Sequence, residues 1–281
     1  MRQGIFASEN SRTVRLKRSK ILVPRIDEID RPTVKVAAEI DEFKGAFSLV
    51  HDNYIKNGYL DTPKSHRMLF GIHSLLPGTV VFVAKSNKKV ISTISEIADT
   101  ELFGLPMDEL YRRELDELRA RGRKIVELSA LVTPADYRWT NVVMYICKVM
   151  YQYSIDHGVN DLCIAVNPKH VRFYKHILLF EDLGPERYFP KVNAPAVALR
   201  VNLDEHFEKT KSVYDGCDFD CNVHTYFYGR IGSRVPEENG KSYWIPENVE
   251  YFLSRERSIL ERLSQSQREF FLKSYPGLTI P

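Results

Sequence analysis

Residues 161–166, DLCIAV, run apolar from Leu162 to Val166 and stop at Asn167-Pro168, where a helix-period stretch rich in His, Arg, Lys and Tyr begins. A strand with one wet face alternates apolar and polar residues. One that is apolar at both parities must be covered on both sides. The chain is therefore committed to a central sheet with helices above and below it. At Asn167-Pro168 the backbone has to leave that sheet, because proline deletes an N–H and its fixed φ suits a first helical turn.

The surrounding pattern repeats this alternation. VKVAAEI (34–40) reads as a first strand. The helix after it carries Phe43, Phe47, Val50 and Tyr54 inward and ends near Gly58. TVVFVA and VISTISEIA flank KSNKK as a hairpin. GLPMDELYRRELDELRARG is an amphipathic helix between Pro106 and Gly122, with Asp108/Arg112 and Glu109/Arg113 spaced for i,i+4 pairs. KIVELSALV (124–132) is a strand, WTNVVMYICKVMYQYSIDHG a long helix, and AVALRVN a last strand. The expected fold is α/β (α+β), a mixed sheet flanked by helices over residues 32–202. Residues 1–31 read as a basic, flexible N-terminal segment, and 203–281 as a C-terminal helical appendage.

The net charge of +3 is uneven. Residues 1–25 hold seven basic side chains against Glu9, so this segment is +6 and the remainder −3. RLKRSK could meet an acidic partner, nucleic acid or lipid, but no aromatic stacking pattern accompanies it, which argues against nucleic acid, and no nucleic-acid partner is expected. Cys147 and Cys163 sit in apolar runs. Cys217 and Cys221, in CDFDC, lack a second ligand pair, so no metal is expected. There is no signal core and no run long enough to span a bilayer, which fits a cytoplasmic protein.

Alternation along 124–132 sets Ile125, Glu127, Ser129 and Leu131 on one side, with Val126, Leu128, Ala130 and Val132 on the other. Glu127 thus interrupts an apolar central strand. A carboxylate there must be paired with a cation or carry a raised pKa, and a raised pKa suits a general base. Asn167 is either a helix cap or a ligand contact at the strand's rim. Tyr174 either fills core or faces a ligand.

Several motifs in order, HDNYIKNGYL, ISEIAD…GLPMDELYRREL, ELSALV, AVNPKH…FYK…F…LG and NAPAVALRVN, resemble the bacterial long-chain N-acyl amino acid synthases of the FeeM type. These belong to the GNAT superfamily and are related to the acyl-homoserine-lactone synthases. The resemblance implies a splayed central sheet whose gap admits a pantetheine arm. It implies transfer of a long-chain fatty acyl group from the phosphopantetheine thioester of acyl carrier protein to the α-amine of an amino acid, by direct attack. In that scheme Glu127, Tyr174 and Glu96 carry the chemistry. Asn167, Ser129, Phe173, Arg138 and His51 bind substrate, with Arg67 and Arg200 as further choices for the acceptor carboxylate. Phe82, Tyr145, Phe173 and Phe180 would wall the acyl tunnel. Arg119, Arg121, Arg123, Lys169 and Arg172 would dock the acidic carrier. No permanently bound cofactor is implied.

Coenzyme A enzymes of the superfamily cradle the pyrophosphate in a Gly-rich turn, whereas VTPADYRWTN has no glycine and Pro134 deletes a donor. Free coenzyme A is therefore disfavoured as donor. A peripheral membrane contact, through an amphiphilic product, remains compatible with the sequence. Two other readings stay open: an acyl-homoserine-lactone synthase, although Ala130 stands where those enzymes carry Arg, and a non-catalytic GNAT-like sensor of acyl carrier or lipid.

Overall fold

The computed structural model describes residues 12–229 and 243–279. Seven strands form one sheet in the order β1-β2-β3-β4-β5-β7-β6. They are β1 Pro32–Val36, β2 Val80–Ser86, β3 Lys89–Ala98, β4 Ile125–Val132, β5 Asp161–Val166, β6 Glu181–Phe189 and β7 Ala194–Asn202. All neighbours are antiparallel except β4 and β5. A parallel pair needs a crossover, and helix α4 (Val142–Asp156) supplies it.

Helices cover both faces, as the apolar β5 requires. On one face α2 (Ile40–Lys56) packs on Val81 and Val83, and α3 (Asp108–Arg119) packs on Ile97, Ile125 and Cys163. On the other, α4 packs on Phe82 and Ile94, and α5 (Pro168–Ile177) joins Ile164 and Leu199. Buried Glu42 fixes the start of α2: its Oε2 accepts the Ala38 N–H at 3.0 Å, and Lys85 donates to its Oε1 at 2.7 Å.

The sequence from Leu203 onward divides between the faces. Helices α6 (Leu203–Tyr214) and α7 (Val223–Tyr228) bury Tyr214, Tyr226 and Phe227 with α4 and α5. Helices α8 (Pro246–Arg255), α9 (Ser258–Glu261) and α10 (Gln265–Ser274) close over α2 instead. There Trp244 stacks on Phe43 at 4.0 Å between centroids, and Phe252 meets Phe47 and Phe70 edge-on at 5.1 and 5.0 Å.

The structure departs from the sequence reading in four places. The first strand is Pro32–Val36, not 34–40. Strand β6 was not expected; Gly184, Pro185 and exposed charges hide it, and its edge position tolerates them. Asp108 pairs with Arg119 and Glu109 with Lys191, in place of the i,i+4 pairs. Residues 12–19 form a helix, α1, and Leu16 and Leu22 are buried among Met144, Ile177 and Tyr214. From residue 12 the basic segment is thus packed against the domain; residues 1–11 lie outside the described residues.

Because α8 completes the α2 core, Phe252→Ala should cost about 3–5 kcal/mol, read as a lower urea midpoint at an unchanged m-value. A helix merely appended to a finished domain would give almost no shift.

Candidate active site

Strands β4 and β5 pair over three positions only, Ile125↔Asp161, Val126↔Leu162 and Glu127↔Cys163. Beyond Glu127, β4 follows β3 to Thr93↔Val132, while β5 follows β7 to Val166↔Val197. The two strands therefore part, and the inner edges of Leu128–Val132 and Ile164–Val166 face a wedge. At its closed end Asp161, fully buried, is held by Arg123 and by Arg200 at 3.2 Å.

At the open end β4 carries a bulge. Ser129 pairs with Ser95 and Val132 with Thr93, so β4 spends one more residue than β3, and Ala130 adopts φ +56°. A left-handed alanine costs about 1–2 kcal/mol, and such strain persists where neighbouring structure holds it. The bulge also corrects the expected alternation. Glu127 and Ser129 share the α2–α3 face as read, but the parity slips at Ala130, and Val132 returns to the Glu127 side.

Glu127 is 5% exposed, and no Lys, Arg or His pairs with it among the described residues. Its Oε2 accepts the Met107 N–H at 2.8 Å. Burial pushes the carboxyl up to about 8; the Met107 N–H opposes this and the charge of Asp108 adds to it. Met107 is the N-cap of α3, so the donor is a backbone group at a helix start. Sequence reading missed this role, because backbone donors carry no side-chain signal; Pro106, just before the helix, was the available hint. Tyr54 of α2 lies close enough to Glu127 for that charge to reinforce the effect of burial on its phenol.

Tyr174 sits on the opposite face. Its ring packs edge-on against Phe173 and Phe180, and its hydroxyl has no hydrogen-bond partner among the described residues. Burial raises its pKa, with Cys147 adding to the effect. Asn167 is the N-cap of α5, accepting the Lys169 N–H at 3.2 Å. It stands at the rim where β5 leaves the sheet. The wedge thus has a neutral carboxyl on one face and a half-buried phenol on the other.

The family model for the N-acyl amino acid synthase FeeM matches residues 45–202, more than half of the chain. The chain belongs to this family. It is accordingly an acyltransferase with a GNAT-like fold. Among solved structures it is similar to FeeM, an N-acyl amino acid synthase from uncultured soil microbes, at 25% identity and TM-score 0.57, covering 64% of this chain and 95% of that one. It also matches the acyl-homoserine-lactone synthases LasI (15% identity, TM-score 0.46, 62% and 91% of the two chains) and BjaI, a coenzyme A-dependent enzyme solved with SAM and isopentyl-CoA (16%, 0.49, 63% and 89%). No curated protein sequence matches the chain.

In this family member the other sequence-derived candidates are scattered. Glu96 is on the α4 side of the sheet, since it pairs with Leu128, and Ser154 donates to its Oε2 at 2.6 Å. His51 is buried, with Nδ1 2.9 Å from Asp52 Oδ1 and Nε2 accepting the Lys64 N–H at 3.1 Å. Arg67 pairs with Asp52 and Arg200 with Asp161. Arg138, exposed beside the exit of β4, carries no ion pair among the described residues. Phe173 and Phe180 line the Tyr174 side, whereas Phe82 and Tyr145 belong to the cluster under α4.

The docking candidates also divide. Arg119 is bound to Asp99, Asp108 and Asp116, and Arg123 to Asp161 and Asp204. Arg121, Lys169 and Arg172 are exposed and carry no ion pair among the described residues. No group of three or more His, Cys, Asp or Glu side chains among the described residues could hold a metal ion. None of the described helices is long and apolar enough to cross a membrane.

Burial pushes Glu96 up to about 7, against the Ser154 hydrogen bond and the charge of Lys124. A carboxyl raised on folding favours the protonated native state. Its stabilising contribution is complete below the unfolded value and is lost as pH climbs through about 7. Glu96→Gln should therefore raise the thermal midpoint above pH 7 and leave acyl transfer intact. Loss of turnover with a normal midpoint would make Glu96 a reacting group.

Proposed function

We propose that this synthase moves a long-chain fatty acyl group from the phosphopantetheine thioester of acyl carrier protein to the α-amine of an amino acid, by direct attack. The observation that carries the reading is the wedge between β4 and β5, which sets Glu127, neutral and free of any cation, beside an opening lined on the other face by Tyr174.

In this reading the amino-acid ammonium approaches from the Glu127 side and gives one proton to its carboxylate. The freed amine attacks the thioester carbonyl carbon, and the oxyanion is met by a backbone N–H of β4 at the Ala130 bulge. The C–S bond then breaks, the amide forms, and the nitrogen sheds its second proton. Tyr174 donates a hydrogen bond to the departing sulfur. Burial makes this phenol a weaker acid than a thiol, so the proton that completes the thiol comes from the ammonium by way of Glu127 or solvent. A covalent acyl-enzyme is not needed. Burial pushes the Cys147 thiol up to about 12 and raises Cys163 further, which keeps both out of the nucleophilic thiolate form.

A carrier-borne donor is favoured over free coenzyme A by the start of α4, where that cofactor's pyrophosphate would need N–H donors. Thr133 and Pro134 lead into a short 3₁₀ helix, Ala135–Thr140, with no glycine. The Val142 N–H donates to Thr140 Oγ1 at 3.3 Å. Residues 20–25 cover the turn: the Asn141 side-chain amide donates to Lys20 O and Val23 O, and the Arg25 N–H to Thr140 O. The exposed Arg121, Lys169 and Arg172 suit an acidic carrier, and Arg138 suits the acceptor carboxylate. A cytoplasmic setting belongs to the same reading, consistent with four free cysteines.

Purified enzyme given amino acids and long-chain acyl carrier protein should yield N-acyl amino acids by mass spectrometry. Turnover with acyl-coenzyme A alone would defeat the donor assignment. Because the base form of Glu127 is its carboxylate, kcat/KM should rise with pH through about 8. Glu127→Gln should lower kcat by roughly 100- to 10,000-fold, the range of a lost general base, while leaving acyl-carrier binding in place.

A further inference from the structure

The α4–α5 face holds a buried donor that the reaction above does not use. Tyr226 of α7 is 8% exposed, and its hydroxyl, itself out of solvent contact, has no hydrogen-bond partner among the described residues. Its ring is held in place: Phe227 packs edge-on at 5.3 Å, and Lys148 Nζ lies over the face at 5.1 Å. Hiding a hydroxyl without a partner costs free energy, and native proteins keep few such groups without a reason.

Its surroundings indicate the reason. Tyr226 packs on α4, with Lys148 over its ring, in the same apolar cluster against which Cys147 and Tyr174 pack. Neither Cys147 nor the Tyr174 hydroxyl makes a hydrogen bond among the described residues. The same apolar cluster contains Leu128 and Val166, which come from the two lips of the wedge beyond the last β4–β5 pair. A ligand chain entering between those lips therefore comes up against donors with nothing to donate to. A pantetheine arm is an extended chain carrying two amides, and each amide carbonyl seeks a donor once it leaves water.

We infer that the Tyr226 hydroxyl donates a hydrogen bond to an amide carbonyl of the thioester arm, so that the C-terminal extension supplies a substrate-binding residue. Tyr226 lies outside residues 45–202, the stretch that matches the family, so this contact is an addition made by the extension. The inference rests on the pantetheine-thioester reading. It concerns the arm itself, whose chemistry is the same on a carrier protein and on coenzyme A.

The test uses the full chain and dodecyl-pantetheine, an inert thioether, as probe, with calorimetric Kd measured for wild type and Tyr226→Phe. The variant should bind roughly 3- to 10-fold more weakly, the loss of one neutral hydrogen bond. KM for the acyl donor should rise in proportion at nearly constant kcat, and the ligand-free variant should melt no lower than wild type. An equal Kd would overturn the assignment. So would a lower melting temperature in the ligand-free variant, because the hydroxyl would then have a structural partner such as a bound water. A wild type that fails to bind the probe would instead overturn the donor reading itself, and the inference with it.

Discussion

Three residue pairs join β4 to β5, and the whole site depends on the pairing stopping there. A parallel ladder that continued past Glu127↔Cys163 would close the wedge and seal Glu127 beneath it. Two features set where the pairing stops. Asp161 and its two arginines pin the closed end, where separating the strands would leave a buried carboxylate unpaired. The Ala130 bulge turns the far end of β4 toward β3, spending local strain to keep the edges apart. Apart from the bulge, both strands remain paired on their outer sides, so the opening is a property of the sheet and does not depend on a loop.

The fork also explains how opposite needs are met in one place. Glu127 rests neutral because it is buried and, among the described residues, is met only by a backbone N–H. An arriving ammonium reverses that balance, since an opposite charge nearby favours the carboxylate. In the proposed reaction the acceptor thereby helps to generate the base that deprotonates it. On the other face no charge is needed. Phenols held protonated by burial remain donors throughout, which suits a ligand whose groups are amides and a thioester.

Much of this was legible in the chain. The doubly apolar β5 announced a covered sheet, the odd carboxylate in ELSALV announced Glu127, and Asn167-Pro168 announced the exit to α5. Other parts were not legible, each for a physical reason. Strand β6 is an edge strand and carries no apolar alternation. Arg119 and Arg123 look like surface charge in RARGRK, but acids distant in sequence claim them. Glu96 and Glu127 are both candidates for the chemistry in the sequence, yet register places them on opposite faces. The bulge is invisible, since alanine rarely adopts φ above zero and nothing in the residue type signals it. The Met107 donor is a backbone group.

The segments outside the family-matched stretch are the remaining step. Residues 12–25 and α6–α7 both pack on the α4–α5 layer, and α8–α10 on α2, so neither end of the chain is an ornament. Residues 20–25 cover the turn before α4 through the Asn141 side-chain amide and the Thr140 carbonyl, while the Val142 N–H is taken within the turn by Thr140 Oγ1. The turn itself is a short 3₁₀ helix without glycine, and Pro134 stands before its first residue, where no N–H is needed for the helix. In the proposed reaction, a chain without a nucleotide cradle recognises its donor elsewhere, along the thioester arm and across the surface of the carrier.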